Sequence, residues 1–172
     1  MIPRPLFIAV LLSLAAGSPA AAQTCQSETS VPSTTPDDRF LMHGNGTVTD
    51  TATDLMWAQC AEGLSGSACT DGGAANFTWE EALIRARDSG LAGYTDWRLP
   101  NLKELFSLVE ERCVNPAINL AVLPNTPASY FWSASPSADS SHFAWIVGFM
   151  NGGADYGSRY SYSQVRLVRS GQ

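Results

Sequence analysis

Basic side chains are scarce in this chain: ten Lys and Arg stand against sixteen Asp and Glu, for a formal net charge of −6. A basic face is the usual footprint of phosphate-backbone binding, so nucleic acid is excluded as a partner. Metal-thiolate chemistry is equally short of material. The four cysteines, Cys25, Cys60, Cys69 and Cys113, form no CxxC pair, and the two histidines, His43 and His142, lie far apart. No cysteine occurs in the last 59 residues after Cys113, and no repeat of fixed period runs through the chain. An apolar run long enough to span a bilayer, about 20 residues, is also absent.

What the N-terminus does carry is one basic residue, Arg4, an apolar run from Leu6 to Ala16, and Ala20-Ala21-Ala22 before Gln23. That is the layout of a cleavable secretory signal over residues 1–22. Cleavage after Ala22 leaves 150 of the 172 residues, enough for one domain with a sizeable core, and removes Arg4, taking the net charge to about −7. The reading places the mature protein in the periplasm, at the cell surface or outside the cell. An oxidising compartment favours disulfides. The short Gly- and Ser-containing loop from Ala61 to Ala68 favours Cys60 with Cys69, and elimination then pairs Cys25 with Cys113.

Residues 23–39 read as a Ser-, Thr- and Pro-rich arm, tethered at both ends if Cys25 is bridged. The domain proper spans residues 40–170. It opens with short strands over Arg39–Met42, Thr47–Thr49 and Leu55–Trp57, turned at Gly44-Asn45-Gly46 and at Asp50 to Asp54. Thr78-Trp79-Glu80-Glu81 forms a capping box, followed at helical spacing by Ala82, Leu83 and Ala86. Asp96-Trp97-Arg98-Leu99-Pro100 makes a stiff corner in which Asp96 and Arg98 are placed to pair with each other or with nearby backbone. Asn101 then caps a second helix whose buried stripe is Leu102, Leu105, Phe106 and Val109. Phe143 to Met150 is apolar at both parities, as in a strand buried on both faces, and Asn151-Gly152-Gly153 turns it. Val165 to Arg169 makes a final strand. Trp57, Trp79, Trp97, Trp132 and Trp145 each sit in a periodic apolar setting and read as core.

The order of these pieces resembles the bacterial DUF1566 family, which includes the C-terminal domain of the Legionella collagen-like adhesin. The resemblance rests on Gly46-Thr47-Val48-Thr49-Asp50 with Leu55 and Trp57, Trp79 with Ala82, and Asp96 to Asn101 with Glu104-Leu105 and Leu108-Val109. It continues through Phe131-Trp132-Ser133, Ala144-Trp145 with Val147 and Phe149, and Val165 to Arg169. It implies an α+β, C-type-lectin-like fold with two helices and a mainly antiparallel, twisted sheet. It also implies adhesin-like binding of a surface glycan or matrix polymer. The collagen-like Gly-X-Y stalk is missing here, as are the Glu-Pro-Asn, Gln-Pro-Asp and Trp-Asn-Asp motifs of calcium-dependent sugar sites. Leu99-Pro100-Asn101 leads into a helix instead.

Catalytic constellations are thin. The Arg-Leu-Pro corner also resembles formylglycine-generating enzymes, whose late cysteine pair this chain lacks. Ser133 or Ser135, His142 and Asp139 lie near one another without a nucleophile elbow. Glu80-Glu81 and Glu110-Glu111 read as helix-surface acids rather than glycosidase pairs. Asp50, Asp54 and Asp71 offer calcium oxygen ligands but no loop ending in a bidentate Glu, so they read first as turn caps, with calcium binding as the alternative and no other cofactor expected. The candidate ligand surface is the loop region of Asn151, Asp155, Tyr156, Arg159, Tyr160 and Tyr162, where tyrosines can stack and Asn, Asp and Arg give directional hydrogen bonds. The partner expected is an extracellular glycan or protein. A non-catalytic binding module is favoured over an envelope accessory protein or an enzyme of unknown chemistry.

Overall fold

The computed structural model describes residues 22–171, so the expected signal lies outside the described residues except for Ala22. In chain order the elements are β1 (Thr24–Cys25), β2 (Phe40–Met42), β3 (Thr47–Asp50), β4 (Leu55–Ala58), β5 (Leu64–Ser65), β6 (Asp71–Gly72), β7 (Asn76–Phe77), α1 (Trp79–Arg87), α2 (Leu102–Phe106), β8 (Cys113–Val114), β9 (Tyr130–Pro136), β10 (Phe143–Gly148), β11 (Gly153–Ser158), β12 (Ser163–Gln164) and β13 (Val168–Ser170). Two main sheets run β11-β10-β9-β12-β7 and β13-β4-β3-β2. All pairings within them are antiparallel except β12 with β9. This is an α+β fold with two α-helices, as expected, and no helix among the described residues is long and apolar enough to cross a membrane.

Strand alternation divides the core into two layers on opposite faces of the sheets. One gathers Val48, Trp57 and Val168 with Phe131, Val147 and Phe149 beneath Leu105 of α2. The other gathers Met56, Ala58 and Leu167 with Trp132, Ala144 and Ile146 beneath Ala82 and Ala86 of α1. Both helices begin with complete capping boxes, Thr78 with Glu81 and Asn101 with Glu104. Two small residues, Ala82 and Ala86, let α1 lie close to its sheet.

The disulfides join Cys60 to Cys69 and Cys25 to Cys113, as the loop argument paired them. Several other expectations need correction. The arm, bridged at Cys25 and so tethered, also packs against the domain along its length. β1 pairs with β8, and the Glu110 carboxylate accepts hydrogen bonds from Ser33 Oγ at 2.5 Å, Thr35 Oγ1 at 2.8 Å and the Thr35 amide at 3.1 Å. Glu110 is therefore buried, 2% exposed, not on a helix surface, because α2 stops at Phe106 and the arm closes over the chain between α2 and β8. For the same reason Phe106 turns outward and Leu108 takes its place in the core.

Asp96 and Arg98 do not pair with each other. Arg98 makes a bidentate bond to Glu104 at 2.7 and 2.8 Å, while Asp96 accepts from Arg169 Nε at 2.7 Å. The expected last strand is split. Gln164 belongs to the five-stranded sheet, residues 165–167 cross the gap, and Val168 joins the four-stranded one. In that crossing the Leu167 carbonyl accepts from the Ala58 amide and the Val165 carbonyl from the Glu62 amide, which knits the sheets into one body.

Candidate functional site

The β10–β11 hairpin turns at Gly148 and Gly153, with Gly152 at φ +77°. Its register sets Trp145 directly opposite Tyr156, and their rings lie 4.0 Å apart at 39°. Trp145 thus departs from the core role expected of it. It is half-buried, on the α2 side of the sheet, the face it shares with Val147. Trp79 is half-buried too: its indole N–H donates to the Ser133 carbonyl at 2.8 Å and its face carries the Arg159 guanidinium at 4.2 Å. Trp57, Trp97 and Trp132 are core, as expected.

The six candidate ligand residues do not form one cluster. Alternation puts Tyr156 on the α2 face and Asp155 on the other, where Asp155 stands opposite Ile146. Asp155 Oδ1 accepts from the Tyr156 amide at 2.7 Å, a local cap on an outward-facing edge group. Asn151 sits at the hairpin tip, its Oδ1 accepting from the Gly153 amide at 3.1 Å. Arg159 is at the far end, about 20 Å of strand away at roughly 3.3 Å per residue. It stacks on Trp79 and donates from Nε to the Phe143 carbonyl. Tyr160 leans toward His142, with ring centroids 6.3 Å apart, and Tyr162 stands in solvent. Four of the five tyrosines, Tyr130, Tyr156, Tyr160 and Tyr162, are exposed, all in this sheet or its connections. Trp145 is the residue sequence reasoning missed. Its signal was the two-stranded register counted back from the Gly turn.

Other side chains are committed to structure. Ser133 Oγ donates to the Trp145 carbonyl, and Ser135 Oγ accepts from the Leu102 amide that starts α2. Asp50 is buried and bound by Arg39 at 2.7 and 2.5 Å, with Thr53 donating at 2.8 Å. Burial alone would raise the Asp50 pKa, but the Arg39 and Thr53 hydrogen bonds outweigh it and hold it below the usual carboxylate value. No group of three or more His, Cys, Asp or Glu among the described residues is arranged to hold a metal ion. Arg159, Arg166 and Arg169 do not make a basic patch either: Arg166 is fully buried and Arg169 is turned onto Asp96 and the Tyr94 ring.

Two grooves lie elsewhere, one of about 540 Å³ beside the arm and one of about 900 Å³ between the Gly44–Gly46 turn, the Cys60 loop and the end of α1. Neither includes the hairpin aromatics. No curated protein matches the chain. A family model described as the Lcl C-terminal domain matches residues 46–169, a span that holds both helices, both core layers and the whole aromatic hairpin. The chain belongs to the Lcl C-terminal domain family.

Proposed function

We propose that this chain is an exported, non-catalytic binding module that takes a surface glycan or matrix polymer on the Trp145–Tyr156 platform. The observation that carries the reading is the paired rings themselves, 4.0 Å apart across the β10–β11 pair, with Tyr156 exposed and Trp145 half-buried. The two rings lean over one another at 39°, and the outer face of that tilted stack offers the apolar side of a sugar ring a partner already ordered by its cross-strand neighbour. Membership of an adhesin-associated family supports the same reading. The α+β architecture, which we read as C-type-lectin-like, fits that role. Export is supported by the two disulfides and by the leader pattern of residues 1–22.

The test is a glycan-array and matrix-polymer screen of the mature protein, with and without calcium, repeated for Tyr156→Ala and Trp145→Ala. Each variant is expected to weaken binding at least tenfold, about 1.4 kcal/mol. Binding left unchanged by both would overturn the platform as the site.

A further inference from the structure

We infer that the connection from β11 to β12 is a second recognition surface, built to take an acidic protein epitope, with Arg159 on the Trp79 side of the sheet, away from the Trp145–Tyr156 pair. Gly157-Ser158-Arg159-Tyr160-Ser161-Tyr162-Ser163 contains four residue types only. Tyr, Ser, Gly and Arg are the residues that antibody loops use for contact: tyrosine brings large amphipathic area with two rotatable bonds, and serine and glycine let the backbone follow the partner.

Both ends of the loop are pinned. The Arg159 amide donates to the His142 carbonyl, continuing the hairpin by one pair, and the Arg159 carbonyl accepts from the Trp79 amide at the start of α1. At the other end Ser163 is buried and pairs with Phe77. Between these anchors the Ser161 amide closes a turn on the Ser158 carbonyl, and Tyr160 and Tyr162 project, 75% and 68% exposed. Projecting tyrosines suit insertion into pockets of a protein surface, whereas the tilted Trp145–Tyr156 stack presents one outer ring face. Short loops held at both ends lose little freedom on binding.

Charge selects the partner. In a chain of net charge −6 this loop carries one formal charge, and it is positive. Arg159 is fixed by its stack on Trp79 and by the Nε bond to the Phe143 carbonyl, while its two terminal nitrogens have no acceptor among the described residues. A planar guanidinium held in this way is placed for a carboxylate, flanked by apolar side chains that fill the space between the two tyrosines.

The experiment is panning of a phage-displayed random peptide library on the mature protein, followed by fluorescence anisotropy with the synthetic peptide of the most enriched sequence. Enriched peptides are expected to share an Asp or Glu beside an aromatic or aliphatic residue. Arg159→Gln, Tyr160→Ala and Tyr162→Ala should each weaken the peptide at least tenfold, whereas Tyr156→Ala leaves it unchanged. The two tyrosine positions are exposed, so unchanged thermal melts will confirm folded variants. No enrichment, enriched peptides without an acidic residue, or affinity indifferent to the three substitutions would each overturn the proposal. Glycan binding that falls with Tyr160→Ala and Tyr162→Ala would overturn it too, by making this loop part of the sugar site.

Discussion

Arg166 carries a charge into the core with no carboxylate beside it. Its guanidinium donates to the Ala58 and Gln59 carbonyls and, at 2.7 Å, to Thr126 Oγ1. Burial pushes its pKa down to about 9, which still leaves it a cation at neutral pH. What it gives the fold is a fork of donors for the carbonyls where β4 leaves the four-stranded sheet. Arg166→Leu is expected to cost about 3 kcal/mol in urea unfolding, since it strands the two carbonyls and removes the donor to Thr126, and Arg166→Lys should rescue little because an ammonium lacks the planar fork. Glu110 is the acidic counterpart. Burial raises its pKa, but the Ser33 and Thr35 hydrogen bonds prevail and hold it below the ordinary glutamate value. A depressed carboxylate contributes stability that is full above the unfolded pKa of about 4.3 and is lost as pH falls through the lower folded value. Urea melts from pH 7 to pH 3 should therefore show Glu110→Gln less stable than the wild type at pH 7, with the gap closing toward pH 3.

At the level of elements, the hairpin depends on how closely its edge strand approaches the core. A Cβ placed on Gly157 would lie 2.8 Å from Trp132 Cη2 and 3.1 Å from Ile146 Cγ2. Trp132 is fully buried and its indole N–H is committed to the Phe77 carbonyl at 2.8 Å, so it has nowhere to go. Gly157→Ala is expected to destabilise by about 1–3 kcal/mol and to weaken ligand binding by moving Tyr156, one residue away. Thr78→Ala, which removes the α1 cap, should cost about 1 kcal/mol without touching the Trp145–Tyr156 pair. These two cases show which features were legible in advance. Both capping boxes and the β3–β4 turn lie within a few residues, and their chemistry is complete in the local sequence. The partner of Asp96 is 73 residues away, and the hydroxyls that bury Glu110 come from an arm 75 to 77 residues upstream. No local pattern carries that information. Trp145 fell between the two kinds: the register counted from the Gly turn sets it opposite Tyr156, but neighbours apolar at both parities do not tell that its ring is only half-buried.

Across the whole molecule, the two disulfides close loops of very different span, with separations of 88 and 9 residues. In the chain-entropy model the longer restrains the unfolded chain by about 4.5 kcal/mol and the shorter by about 2.5. The longer one also ties the arm, which precedes the family-matched span, to the body of the fold. Around it the arm has the Glu110 contacts and the Gln23 side-chain amide, which donates to the Pro116 and Ile118 carbonyls at 2.7 and 2.8 Å. The aromatic hairpin shares no strand with this assembly, and its two faces are built from β10, β11 and the loop to β12. Replacing Cys25 and Cys113 together by Ser should therefore separate stability from recognition. Urea unfolding is expected to show a larger loss than the Cys60/Cys69 double replacement, and limited proteolysis to cut within residues 26–36 first. Binding to the platform, measured under conditions where both variants remain folded, should stay within about twofold of the wild type. Affinity that falls along with the arm would mean that the arm forms part of the binding surface.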